Sequence, residues 1–165
     1  MSLRRHLDPA SPTQTLLMGT ISLDRYLATG EILPGGGILN MAWHWRHRLR
    51  RPFQVLSRIG AADGAPIEAF LRRHRIELAS PDDLAMPGRS SMIDIEIQPD
   101  RQPWMDNFVA GVWDDYRVTT RELEALDWNS RLHVVLVEGA IAELHRLGDS
   151  FRLDDRDVSA DFLGF

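Results

Sequence analysis

Apolar residues recur along this chain in two rhythms, and the alternation between them predicts most of its elements. Over Ile38–Arg51, the residues Ile38, Ala42, Trp45 and Leu49 fall at i, i+4, i+7 and i+11, which lines them up as one stripe of a helix. Pro52 ends that helix, because proline has no N–H to donate and its ring clashes with the preceding turn. Pro66 stands where the first position of a second helix belongs, with Ile67, Phe70 and Leu71 as the buried face. Thr15–Leu23, Phe53–Ile59 and His133–Val137 read as short buried strands, Ala140–Leu147 as a helix and Val158–Phe162 as the start of another strand. Tyr26–Leu33 reads as a second short strand or a loop, closed by Pro34. Strands and helices in this order predict an α/β fold, a mostly parallel sheet flanked by helices.

Met92–Gln98 breaks the rhythm. Ile93, Ile95 and Ile97 alternate with Asp94, Glu96 and Gln98, so this strand has one apolar and one polar face. Pro99–Pro103 supplies a turn and Trp104–Trp113 the returning strand, which together make a small β lid over about residues 89–112. Further on, Thr119 lies three residues before Glu122, the spacing of a capping box at the start of a short helix. Met1–Thr13, with two prolines and alternating charge, reads as a loose lead-in.

A chain of 165 residues has room for one core, so residues 1–165 are expected to form a single domain. Its 44% hydrophobic and 26% charged residues are those of a globular chain. It contains no cysteine, which excludes disulfides and thiolate chemistry, and no lysine, which excludes Schiff-base catalysis. The first apolar run, Thr15–Met18, is too short for the core of a signal peptide, and no stretch approaches a membrane span. The expected setting is the cytoplasm, with no membrane partner. A net charge of −5 argues against nucleic acid as a partner. Two arginine clusters, Arg46, Arg48, Arg50 and Arg51 and then Arg72, Arg73 and Arg75, crowd helix C-termini, where cations complement the helix dipole; the alternative is a phosphate or nucleic-acid patch.

The candidate chemistry begins at Pro34-Gly35-Gly36-Gly37-Ile38-Leu39-Asn40. Without a Cβ, Gly35 and Gly36 allow the backbone to approach a ligand closely, and the opening turn of the helix aims unpaired N–H groups into the same space. The Asn40 amide both donates and accepts, and sixteen residues earlier Asp24 offers a carboxylate able to take two hydroxyl donors. This set suits a polyhydroxylated or anionic small molecule. The other role open to these residues is structural, with Asp24 capping a turn and Asn40 capping the helix. Glu138 follows an apolar strand, and Asp161 ends another; ligands of α/β folds gather at the carboxyl ends of strands. Asp63 is placed to help start the helix at Pro66, and Asp114-Asp115 to begin a solvated turn. His44 and His47 lack a third ligand, so no metal site is expected.

The order Gly19-x4-Asp24, Gly35-Gly36-x3-Asn40-x-Ala42, Ile59-Gly60 and Leu71-x4-Ile76 resembles the N-terminal half of the PfkB, or ribokinase-like, carbohydrate kinases. Gly111-Val-Trp-Asp-Asp-Tyr116 and Val158-Ser-Ala-Asp161-Phe162 look most like the fructoselysine and fructosamine kinases of that family. The resemblance implies a ribokinase-like fold and transfer of the ATP γ-phosphoryl group, with Mg²⁺, to a sugar or glycated-amine hydroxyl. It implies Asp24, Gly35, Gly36 and Asn40 as substrate contacts, with Glu138 behind them, and a lid that covers the sugar and packs on the lid of a second subunit in a homodimer. The family's catalytic Gly-Ala-Gly-Asp segment has no match, since Gly60-Ala61 and Gly139-Ala140 are not followed by Gly-Asp. The family's Gly-x-Asp would put an acid at Ala62, whereas the chain has Asp63, one position displaced. No catalytic residue and no nucleotide site is therefore assigned, the C-terminal half of the fold is not expected here, and the 165-residue chain alone is expected to be inactive. The alternative is a non-catalytic sugar-binding or regulatory module derived from such a kinase.

Overall fold

In the computed structural model, which describes residues 15–128, 131–136, 138–149, 153 and 156–162, a parallel sheet forms the centre of the chain. Its strands β1 (Thr15–Gly19), β4 (Phe53–Leu56), β9 (Arg131–Leu136) and β10 (Asp157–Phe162) run in the order β10-β9-β1-β4, all parallel. Every residue of β1 is buried. Successive side chains of a strand point to opposite faces, so Leu17 joins one apolar cluster and Leu16 and Met18 another. Helices α1 (Gly37–His44) and α2 (Ala65–His74) cover the first face with Ile38, Ala42, Ile67 and Leu71. Helices α3 (Thr120–Trp128) and α4 (Glu138–Asp149) cover the second with Leu126 and Leu147. The expected α/β fold is present. Among the described residues, no helix is long and apolar enough to cross a membrane.

Two expected strands are each split. Thr15–Leu23 breaks after Gly19, whose φ of 151° and close approach to the Val135 carbonyl, 2.6 Å from where a Cβ would stand, turn the chain out of the central sheet. It re-enters as β2 (Ser22–Tyr26) in a second sheet of order β3-β2-β7-β8, with β3 (Ile32–Gly35), β7 (Ser91–Ile97) and β8 (Pro103–Val109). The lid is thus larger than residues 89–112, because it recruits β2 and β3. Phe53–Ile59 likewise divides into β4 and β5 (Ile59–Gly60), the latter paired with β6 (Ala85–Met86).

The first helix is shorter than the stripe predicts. After His44 it widens into a π-helical turn, Trp45–Leu49, closed by Arg50 in the left-handed region. The wider turn rotates the stripe: Ile38 and Ala42 are buried and Trp45 stacks edge-on to Phe53 at 6.1 Å, but Leu49 faces solvent at 54% exposure. Pro66 is the second rather than the first residue of α2, behind Gly64 as N-cap. The lead-in Met1–Thr13 and Val137 lie outside the described residues.

The capping box forms as the spacing predicts. Thr119 Oγ1 accepts the Glu122 N–H at 3.2 Å, and Glu122 Oε2 accepts the Thr119 N–H at 2.8 Å. The same carboxylate meets Arg58 Nη2 at 2.9 Å, and both side chains are almost wholly buried. Arg58 also donates to the Arg117 carbonyl and lies 4.6 Å over the Tyr116 ring, while its own carbonyl accepts the Trp113 indole N–H at 3.0 Å. Removing one member strands the other charge in the core. Arg58→Met is therefore expected to cost about 3–5 kcal/mol in urea unfolding. The double variant Arg58→Met/Glu122→Leu should recover much of that loss; a single variant within about 1 kcal/mol of wild type would show that the pair does not tie α3 to the link between β4 and β5.

Candidate functional site

Asp24 is the third residue of β2, not the end of a strand. Its Oδ1 accepts the Ser22 hydroxyl at 2.7 Å, and its carboxylate lies directly over Gly35, where a Cβ would stand 1.9 Å from Oδ2. The missing side chain of Gly35 is the space that the carboxylate occupies. One residue on, Gly36 has φ 92° and is the N-cap of α1; a Cβ there would come within 2.8 Å of the Thr20 carbonyl and 2.9 Å of the Ser22 nitrogen. The close approach expected of the two glycines is thus made to the chain itself, by Gly35 to the Asp24 carboxylate and by Gly36 to the β1–β2 link. The Asn40 N–H bonds the Gly36 carbonyl at 3.1 Å, which makes Asn40 the first residue of α1 with an intrahelical N–H bond. Its exposed side chain makes no hydrogen bond among the described residues, and it does not cap the helix. Asp24, for its part, takes a side-chain hydroxyl rather than capping a turn.

Burial pushes the Asp24 carboxyl above its ordinary value, offset in part by the Ser22 hydroxyl. A partly desolvated carboxylate with one internal donor keeps acceptor sites for others. Strand register adds a second element. Ser22 pairs with Ser91, Asp24 with Ile93 and Tyr26 with Ile95, so the isoleucine face of β7 is the face that carries Asp24. The lid alternation is realised with two corrections. Ile93 and Ile95 are buried within the chain, and only Ile97, past the end of β2, is exposed, at 52%. On the polar face Asp94 is buried too, held by the Arg25 guanidinium at 2.6 and 2.8 Å and by the Asn107 amide at 3.2 Å.

The remaining candidates lie on other elements. Glu138 opens α4 behind β9, and its side chain lies outside the described residues. Asp161 is exposed on β10, and Asp114 and Asp115 are exposed in a turn, as expected. Asp63 does not start α2. It accepts the Ser90 N–H at 2.7 Å and the Arg89 Nε–H at 3.2 Å, tying the turn before α2 to the start of β7. Partial burial works to raise the Asp63 carboxyl, but these donors outweigh it and hold it below the usual range. His47 Nε2 contacts His74 Nδ1 at 3.1 Å, and among the described residues no three acidic or histidine side chains group as a metal site. The residue that sequence reasoning missed is Ser22, whose only signal is its place two positions before Asp24 on the same strand face.

The fold has clear relatives. The chain is similar to the Arabidopsis thaliana ribokinase complexed with ribose and ATP, at 16% identity and TM-score 0.67, covering 93% of this chain and 54% of that one. It is similar to an uncharacterized sugar kinase from Pyrococcus horikoshii (11% identity, TM-score 0.69, 92% and 53% covered). It is also similar to the Burkholderia thailandensis nucleoside kinase in complex with inosine (15% identity, TM-score 0.65, 89% and 50% covered). At these identities the likeness is one of fold: the chain has the α/β fold of ribokinase-like sugar and nucleoside kinases, and it spans about half the length of the structures it matches. No protein-family model and no curated protein sequence matches it.

Because only the folded state raises the Asp24 pKa, ionised Asp24 subtracts stability. That loss is absent below the unfolded value of 3.8, grows as pH rises through the folded value and is complete at neutral pH. Asp24→Asn should therefore raise the melting temperature at pH 7 by about 2–4 °C. The gain should shrink as the pH is lowered into the carboxylate range. A variant less stable than wild type at pH 7 would show that the charge is held by attraction and not poised for a ligand.

Proposed function

We propose that this chain forms the sugar-binding half of a PfkB-type carbohydrate kinase. Asp24 and Asn40 hold sugar hydroxyls, Gly35 and Gly36 set the junction between them, and the lid strands close over the substrate. The observation that carries the reading is the position of Asp24. Its carboxylate is desolvated, has one internal donor, shares a strand face with Ile93 and Ile95, and packs on the glycine that precedes the helix bearing Asn40. A carboxylate set beside isoleucines on one sheet face, with an amide on the helix that follows, is an arrangement that can grip a polyol while excluding water. Glu138, at the carboxyl end of β9, completes the proposed contact set.

The reaction that fits is transfer of the ATP γ-phosphoryl group to a hydroxyl of a sugar or fructosamine. When bound, ATP with Mg²⁺ supplies the phosphoryl group and neutralises its charge. Among the described residues no three acidic or histidine side chains group to hold a metal. The chain's own residues bind, orient and shield the acceptor hydroxyl. With no Gly-Ala-Gly-Asp segment in the sequence, the 165-residue polypeptide alone is not expected to turn over ATP. The second reading is a sugar-binding or regulatory module without chemistry. Calorimetry with ribose, fructose and fructoselysine tests both readings. Binding is expected, with a loss of about ten-fold or more in Asp24→Ala. No binding to any sugar would sink the clamp, and sugar-dependent ADP release by this polypeptide would overturn its inactivity.

The proposal includes a homodimer in the cytoplasm, joined through the lid. Ile97 and Met105, 52% and 48% exposed, lie on the Asp24-bearing face beyond the buried Ile93 and Ile95, and Leu33, 40% exposed, pairs with Asp24 on that face. Exposed apolar side chains of this kind favour a symmetric partner. Met105→Glu, at a position the fold already leaves exposed, should yield a folded monomer in light scattering. A monomeric wild type, or a variant that stays dimeric, would count against the lid as the contact.

A further inference from the structure

At the opposite end of the central sheet from Gly19, where β4 begins beside the start of β1, lies a cleft of about 590 Å³. Arg46, Arg50, Arg51 and Arg75 line it, with Pro52, Phe53 and Glu77. What sets these four apart is that they share one concave surface without a salt-bridged carboxylate. Arg25, Arg58, Arg72, Arg89, Arg121, Arg131 and Arg146 each meet a carboxylate within 4.0 Å, whereas the four in the cleft have no ion pair among the described residues. Two of them also hold costly backbone geometry. Arg50 and Arg75 close the π-helical turn and α2 with φ of 52°, a left-handed position where glycine is the usual residue. A side chain there costs about 1–2 kcal/mol, and Arg101 in the lid turn, with φ 68°, shares this geometry outside the cleft. The complement of the helix dipole, expected for cations near these ends, explains attraction to the carbonyls but not a shared concave cleft.

We propose that this cleft is a second binding site, distinct from the Asp24 site, for a compact organic polyphosphate. Guanidinium forks match phosphate oxygens in pairs, and converging cations without partners require a multivalent anion to offset their repulsion. The cleft has the volume of a small-molecule site. A long nucleic acid does not fit as well. The whole chain carries −5, which repels a polyanion beyond the cleft, and the aromatic ring on its wall, Phe53, is 7% exposed and unable to stack a base. Glu77 adds a discriminating feature: a carboxylate among the arginines repels a bare phosphate chain and accepts hydrogen bonds from the hydroxyls of a phosphorylated sugar or nucleotide.

The test is calorimetry on the full chain with inorganic tripolyphosphate as the probe, in about 0.15 M salt so that diffuse attraction is screened. Arg46→Gln/Arg51→Gln spares both left-handed positions and should weaken binding by roughly ten-fold or more. Arg101→Gln, an exposed arginine of the lid turn, should leave it unchanged. Glu77→Gln should tighten binding of tripolyphosphate, which has no hydroxyl to lose. Three results would each overturn the proposal: no binding, equal weakening in the Arg101 variant, or a duplex oligonucleotide that binds more tightly than tripolyphosphate. Ribose binding measured on the same variants should not move, which separates this site from the Asp24 clamp.

Discussion

The arrangement depends on how closely the backbone at Gly35 and Gly36 approaches the link between β1 and β2. Among the described residues the central sheet and the lid share no hydrogen-bonded strands, so their relative placement falls to this contact together with the bonds that Gly60 and Asp63 make to Ser90 at the start of β7. A Cβ on Gly36 would press on the Thr20 carbonyl and the Ser22 nitrogen, which are backbone atoms with no freedom to swing aside. Any larger residue would push α1 off Leu17 and Val135, the core partners of its Ile38 and Ala42. The same movement would carry the opening N–H groups of the helix away from Asp24. One steric constraint therefore fixes core packing and site geometry together, and it explains why consecutive glycines precede a helix whose only local need is an N-cap.

Asp24 differs from the structural carboxylates around it in the direction of its pKa shift. Arg25 holds Asp94 below the usual carboxylate range, the Ser80 hydroxyl does so for Asp83, and Arg146 for Glu143. Each of these acids fastens two pieces of chain, and its donors favour the charged form. Asp24 is shifted the other way, because burial outweighs its one hydroxyl partner. Desolvation without a matching cation is unfavourable in a merely structural role, and it is common where a group awaits a ligand. The total reliance on arginine sharpens the contrast. Arg25 and Arg58 engage Asp94 and Glu122 through two guanidinium nitrogens each, a geometry that an ammonium could not reproduce.

Much of the fold was legible because buried elements leave periodic traces. The α1 stripe, the capping box at Thr119 and Glu122, and the lid alternation all followed from spacing within one segment. What escaped was set by distant partners or by local geometry that leaves apolar content unchanged. Thr15–Leu23 stays buried throughout, its two halves in different sheets, so only Gly19 marks the break. Asp94 reads as solvent-facing by alternation, yet Arg25, 69 residues away, makes its burial tolerable. The π-helical turn that turns Leu49 outward left no mark in the i, i+4, i+7 pattern. For the site, the glycines and Asp24 stood out in sequence, but the hydroxyl that orients the carboxylate did not, since a serine on a strand is unremarkable until its neighbour is seen.

The lid carries a coupling that neither the sugar site nor the dimer proposal contains alone. Register places Asp24, Ile93, Ile95, Ile97 and Met105 on one face of one sheet. Along that face the chain buries the inner isoleucines itself and leaves the outer pair open. A sugar gripped by Asp24 and a partner docked on Ile97 and Met105 would then touch the same rigid surface a few residues apart. Any tilt of the lid that brings β7 down on the substrate must also move the dimer contact, because the ladder between β2 and β7 leaves the two ends of the strand no independent motion. The Arg25–Asp94–Asn107 cluster on the reverse face fastens β2, β7 and β8 across the sheet and stiffens it further. If the proposed sugar site and dimer both hold, substrate closure and subunit association would be mechanically linked, with the stiffness supplied by the half-buried Arg25–Asp94 pair on the face that neither ligand nor partner would touch.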